Sequence, residues 1–253
     1  MTTYFFPLHF ASLFLLGVAC LASLLAGGTV QRSCRLLSAI VLPVGIAGTF
    51  VGFIVILSSM ADPSQLIPAV TSTLPTALYA GVLKIALDVC VPEDPSTPVL
   101  SNSTRTKIAA GVWLAAFLSF DLLTTPHVFY LLNFSALGVL ALCVALIFGL
   151  NKLAGEDAPL TDSLTRTLPK IGLLALVYTV FAMPAAMSDV TAIGPLMAFG
   201  LLIHLYTNLF GITLGLAQPD RLLSVDPLAH WLYWSASLAC ICAFFGCLLI
   251  LIS

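Results

Sequence analysis

Eight apolar runs of about twenty residues each, joined by short polar turns, constrain this chain more than any other feature. They cover 4–27, 37–58, 66–88, 107–124, 128–150, 168–187, 192–216 and 229–252. None alternates polar with apolar residues, as a strand of a membrane barrel must. In hydrocarbon a run of this length satisfies its backbone only as a helix. Composition agrees: 60% of the 253 residues are hydrophobic and 8% charged, with mean hydropathy +1.11. A soluble domain carries about a quarter of its residues as charges. The expected class is therefore an all-α polytopic membrane protein with about eight transmembrane helices, whose first partner is the lipid bilayer. A net charge of −2 without clustered cations excludes nucleic acid as a partner. The same hydropathy excludes a disordered chain and a small secreted disulfide fold.

Cations set the orientation, because Lys and Arg stay on the cytoplasmic side. With eight spans, Arg32, Arg35, Arg105, Lys107, Lys152, Arg166, Lys170 and Arg221 all fall on one side. Lys84 sits near the same-side end of the third span and can snorkel there. Both termini are then outside. Dropping the short fourth run, which carries Asp121, would divide the cations between the two sides. No Lys or Arg precedes the first run, which argues against a cleaved signal peptide. Lys84 and Asp88, four residues apart, are expected to pair with each other. Trp231, Tyr233 and Trp234 open the eighth run where an interfacial aromatic belt is expected.

The chain also resembles itself. A shift of 127 residues lays 43–87 on 170–214 without a gap. It pairs Gly45 with Gly172, Met60 with Met187, Asp62 with Asp189, Pro68 with Pro195 and Tyr79 with Tyr206. Two parallel halves of four spans each are expected, 1–127 and 128–253. The second half is degenerate, with Leu176 against Thr49 and Ile203 against Thr76.

Residues 43–81 hold the most informative pattern. On a helix Gly45, Gly48 and Gly52 share a face with Thr49, and such small residues let a second backbone approach. The turn Asp62-Pro63-Ser64 supplies caps for the next helix, and Pro68, Thr73, Thr76 and Tyr79 follow along it. Taken alone, the glycines read as packing residues and the threonines as hydroxyls bonded to their own helix. The whole stretch resembles the MotA/TolQ/ExbB proton-channel family, over about residues 5–90 and most specifically in 43–81. Its hairpin corresponds to 37–88 here.

That resemblance implies a proton- or Na⁺-conducting subunit of the bacterial inner membrane, with both termini periplasmic. It further implies a homo-oligomer, or a hetero-oligomer with a single-span partner whose membrane aspartate relays the ion. Thr49, Thr76 and Thr73 would then line the path. The family's bulky cytoplasmic region has no counterpart, since the longest loops are about 88–106 and 151–167.

His204, in the middle of the seventh run with Asn208 one turn on, is a separate candidate for the path. An imidazole titrates close to physiological pH, so it suits proton transfer. No phosphate loop, metal-ligand spacing or nucleophile–base set is present, so no enzyme and no cofactor are expected. Two further classes of function compete with the channel subunit. One is a small secondary transporter with parallel repeats and a site near His204. The other is a non-conducting membrane scaffold that keeps the packing motif.

Overall fold

The computed structural model describes residues 5–58, 66–91, 104–124, 133–153, 160–186, 190–223 and 227–252. Eight long helices and one short one account for nearly all of them. They are α1 (Phe5–Gly27), α2 (Val30–Ser58), α3 (Leu66–Cys90), α4 (Thr104–Thr124), α5 (Phe134–Leu153), α6 (Leu160–Ala186), α7 (Val190–Ala217), α8 (Pro219–Leu223) and α9 (Pro227–Ile252). Each apolar run forms its own helix, including the short fourth, where Trp113 and Phe117 are buried. No strand occurs among the described residues, so the fold is all-α.

Four helical stretches are long and apolar enough to cross a membrane. They are Val30–Ile54, Phe134–Leu153, Leu160–Ala185 and Ile193–Ala217. Ser12–Gly27 and Trp231–Phe244 are shorter stretches of the same character. Large apolar side chains lie exposed on α3 (Leu78, Val82, Ile85, Val89), α5 (Leu142, Leu146, Leu150) and α6 (Leu174, Phe181). Water would penalise a surface of that kind.

The helices reach seven or eight residues beyond the apolar runs at two points. α2 begins at Val30 rather than 37, and α6 at Leu160 rather than 168. In both places polar side chains bond backbone carbonyls: Ser33 Oγ donates to Thr29 O at 2.7 Å, and Thr165 Oγ1 to Thr161 O at 2.8 Å. Arg32, Arg35, Arg166 and Lys170 therefore ride on helix ends, with Cys34 within α2. The turn from α1 to α2 needs glycine. Gly28 has φ 72°, a left-handed conformation that caps α1 without strain. A Cβ on Gly27 would fall on Ser33.

Two helix hairpins, α2–α3 and α6–α7, form the packed centre and meet where α2 lies against α7. α1 lies across α2, α3 and α4, while α4 also packs on α7. α9 leans on α6, and α5 touches α6 and α7 with most of its surface outward. The core runs through the inner faces of α2 and α7, from Leu36 to Ile54 and from Ile193 to Leu216. α2 thus presents two working faces, one to α3 and one to α7.

Candidate functional site

Glycine decides how closely α2 meets α3. A Cβ on Gly45 would land on Ala80 Cβ, with Thr76 O at 3.1 Å and Ala77 Cα at 3.4 Å. One on Gly48 would lie 2.9 Å from Thr76 Cγ2 and 3.0 Å from Leu15 Cδ1. Gly52, one turn on, is half-buried. Into this contact α3 places Thr76, directly after Pro75, and its Oγ1 lies 2.5 Å from Ser12 Oγ of α1, with both residues buried. Thr49 is wholly enclosed and its Oγ1 donates to Gly45 O at 3.0 Å. The hydroxyls of Thr76 and Ser12 thus meet at one three-helix contact, while that of Thr49 is spent on its own helix. Ser12 carried no sequence signal beyond its place in an apolar run.

The second hairpin repeats this contact at the same spacing. A Cβ on Gly172 of α6 would land on Thr207 Oγ1 and lie 2.8 Å from His204 Nδ1 and 3.3 Å from His204 Cα. Gly172, His204 and Thr207 stand 127 residues after Gly45, Ala77 and Ala80. Further along, a Cβ on Gly200 would land on Thr179 Oγ1, whose own bond runs to Ala175 O at 2.7 Å. Tyr206, at the position matching Tyr79, accepts the Asn133 N–H at 3.1 Å where α5 begins. Tyr79 itself is partly exposed on α3.

His204 is completely buried between the hairpins. Phe50 of α2 meets its ring edge-on with centroids 4.9 Å apart, and Tyr233 of α9 stacks on it at 5.7 Å. Nε2 lies 3.3 Å from Tyr233 OH. Nδ1 faces the Gly172 backbone and no side chain pairs with it. The Asn208 amide lies near the Tyr233 hydroxyl, and its Nδ2 is buried with no hydrogen-bond partner. The aromatic belt expected at the start of the eighth run is therefore corrected in part. Trp231 is exposed, but Trp234 is buried and Tyr233 turns in to His204. The reason is the neighbour: a phenol beside a buried imidazole gains a hydrogen bond that an outward rotamer forgoes.

Charged groups are fixed at the helix ends. Lys84 Nζ donates to Asp88 Oδ1 at 2.6 Å and to Ser38 Oγ at 2.8 Å, and Ser38 Oγ donates to Asp88 Oδ1 at 2.5 Å. Trp231 lies beside the same ammonium, 5.9 Å from Nζ to its ring centroid. Arg32, nearly buried at the start of α2, is ion-paired with Asp220 of α8, a contact between halves that no local spacing announces.

Asp62, Pro63 and Ser64 lie outside the described residues, as do the side chains of Pro68 and Thr73. Asp121 is on α4, but its side chain is likewise outside them. Among the described residues no group of three or more His, Cys, Asp or Glu is placed to hold a metal ion. In comparisons with known proteins, no family model, no curated protein and no solved structure matches this chain.

Proposed function

We propose that this chain is a multi-pass membrane subunit that conducts protons or Na⁺. In this reading it resembles the MotA/TolQ/ExbB proton channels and works with a single-span, aspartate-bearing partner. Eight spans with the cations inside and both termini outside are the matching topology. One observation carries the reading. The glycine face of α2 admits Thr76 of α3 so closely that its hydroxyl meets that of Ser12 in one buried contact, with Thr49 enclosed on α2 one residue beyond Gly48. A hydroxyl both donates and accepts, so it can pass a proton or line an ion's path without the cost of a buried charge. The partner's carboxylate would supply the charge.

A secondary transporter is the second reading, favoured by His204. Phe50 of the first half and Gly172 and Tyr233 of the second all enclose it. Transporter sites commonly lie at such a junction between repeats.

The test is proton and Na⁺ flux into vesicles holding the full chain with a single-span, aspartate-bearing candidate partner. The parent conducts, Thr49→Val/Thr76→Val lowers flux at least about tenfold, and the Thr→Ser pair recovers part of it. Parent-like flux in the valine pair, with loss in His204→Ala, replaces the channel with the transporter. No flux from the parent refutes both.

A further inference from the structure

We propose that His204 is a proton-binding site held within this chain, formed where the α2–α3 hairpin meets α6, α7 and α9. Its purpose rests on the ion-moving reading above, but its chemistry can be tested apart from it.

Packing alone does not call for histidine here. At the matching place in the first hairpin, Ala77 lies against Gly45 and brings no polar atom. The second hairpin keeps the glycine, as Gly172, but opposes it with an imidazole. That imidazole comes with two polar neighbours, the Tyr233 hydroxyl and the Asn208 amide. His204 Nδ1 has the Gly172 backbone beside it but no side-chain partner, and Asn208 Nδ2 is buried with none, a cost that apolar packing would avoid.

The geometry accepts either protonation state. A neutral ring has one acceptor nitrogen, and the Tyr233 hydroxyl can serve whichever role Nε2 takes. Proton uptake forms one N–H bond and leaves an imidazolium that donates from both nitrogens. Nε2–H then points to Tyr233 OH, and Nδ1–H to the backbone of Gly172.

The surroundings also choose the ligand. Phe50 closes the α2 side with an apolar ring edge, and on the α6 side there is no room even for a Cβ at Gly172. α9 contributes Tyr233, and α7 itself contributes Asn208 and Thr207. Lys170, two residues before Gly172, is exposed on the surface of α6, and among the described residues no charged side chain acts on the ring. Na⁺ or a divalent cation needs a cage of several oxygens, which one phenol, one amide, one imidazole and a Thr207 hydroxyl already bonded to His204 O do not make. A proton needs one lone pair.

The experiment uses the full chain in lipid nanodiscs with ¹⁵N-labelled histidine, titrated between about pH 4 and 8.5. Ring signals of His204 are assigned by their loss in His204→Gln. Size-exclusion profiles confirm that each sample stays folded. The expected result is a reversible passage of the His204 ring from neutral to imidazolium. In Tyr233→Phe the midpoint moves by about half a pH unit or more, because one polar partner of the charged form is gone. A ring that stays neutral throughout, in the parent and in Tyr233→Phe alike, overturns the proposal. Titration in a chain that carries no flux leaves the site standing and removes only the ion-moving reading. Flux without titration does the reverse.

Discussion

Gly172→Ala adds one methyl group at the tightest point of the second hairpin, and the structure sets the sign of its effect. On an open helix face, Gly→Ala stabilises by about 1 kcal/mol, because alanine loses less backbone freedom. At Gly172 the new Cβ meets Thr207 Oγ1 and comes within 2.8 Å of His204 Nδ1. Neither neighbour yields easily. Thr207 Oγ1 is bonded to His204 O at 2.9 Å, and the imidazole is held between Phe50 and Tyr233. Overpacking of this kind costs about 1–3 kcal/mol. With both neighbours held, the upper part of that range applies, so the net change is about 1–2 kcal/mol unfavourable. Gly111 on α4 provides the control, since a Cβ there meets nothing within 4 Å. The same substitution at Gly111 should therefore stabilise, leaving a gap of about 2–3 kcal/mol between the two variants. Heating the detergent-solubilised full chain and following the folded fraction by size exclusion converts that gap to roughly 5–10 °C in apparent midpoint. Gly45→Ala, aimed at Ala80, should fall with Gly172→Ala. If Gly172→Ala melts at or above Gly111→Ala, the α6–α7 contact is not as close as described, and the account of His204 loses its enclosing wall.

Thr76→Val removes the bond to Ser12 while keeping shape, so it should cost about 1 kcal/mol in the same melting assay. Thr49→Val deletes a hydroxyl bonded within its own helix and should cost less, and a reversed order would show that the Ser12–Thr76 contact is not made. Asp88→Asn leaves the Lys84 ammonium, 9% exposed, without its carboxylate, whereas Lys84→Met leaves a carboxylate that is 38% exposed and can hydrate. The first should destabilise by about 1–3 kcal/mol and the second by clearly less, and equal effects would mean that the lysine is not enclosed.

The helices were legible because each is an apolar run long enough to declare itself, and even the short fourth run holds its shape around buried Trp113. Lys84 with Asp88 was legible for a similar reason, since both ends of the pair sit one turn apart on one helix. The contacts that sequence did not announce all join distant segments. Ser12 meets Thr76 across 64 positions, and Arg32 meets Asp220 across 188. A serine in an apolar run and an arginine after one look the same whether they are paired or solvated. Tyr233 was misread for a related reason. An aromatic residue near a helix start has a generic interfacial role, and only the position of His204 opposite it gives it an inward partner.

The second hairpin is best understood beside the first. Against the first hairpin it exchanges Thr49 for Leu176 and Thr76 for Ile203, so the hydroxyls are gone and the volume is larger. It nevertheless retains a glycine at 172 for the close approach, and Gly200 opposite Thr179 preserves a second one. At the matching positions of the first half stand Thr73 and Gly52, the same two residue types with their helices exchanged. Preservation of the contact with loss of the hydroxyls separates two requirements that the first half combines. Close helix approach holds the bundle together, where packing rather than hydrophobicity must do so. Under the proposed reading the hydroxyls serve ion movement instead, which makes Thr49 and Thr76 the residues to test in the first hairpin and His204 in the second.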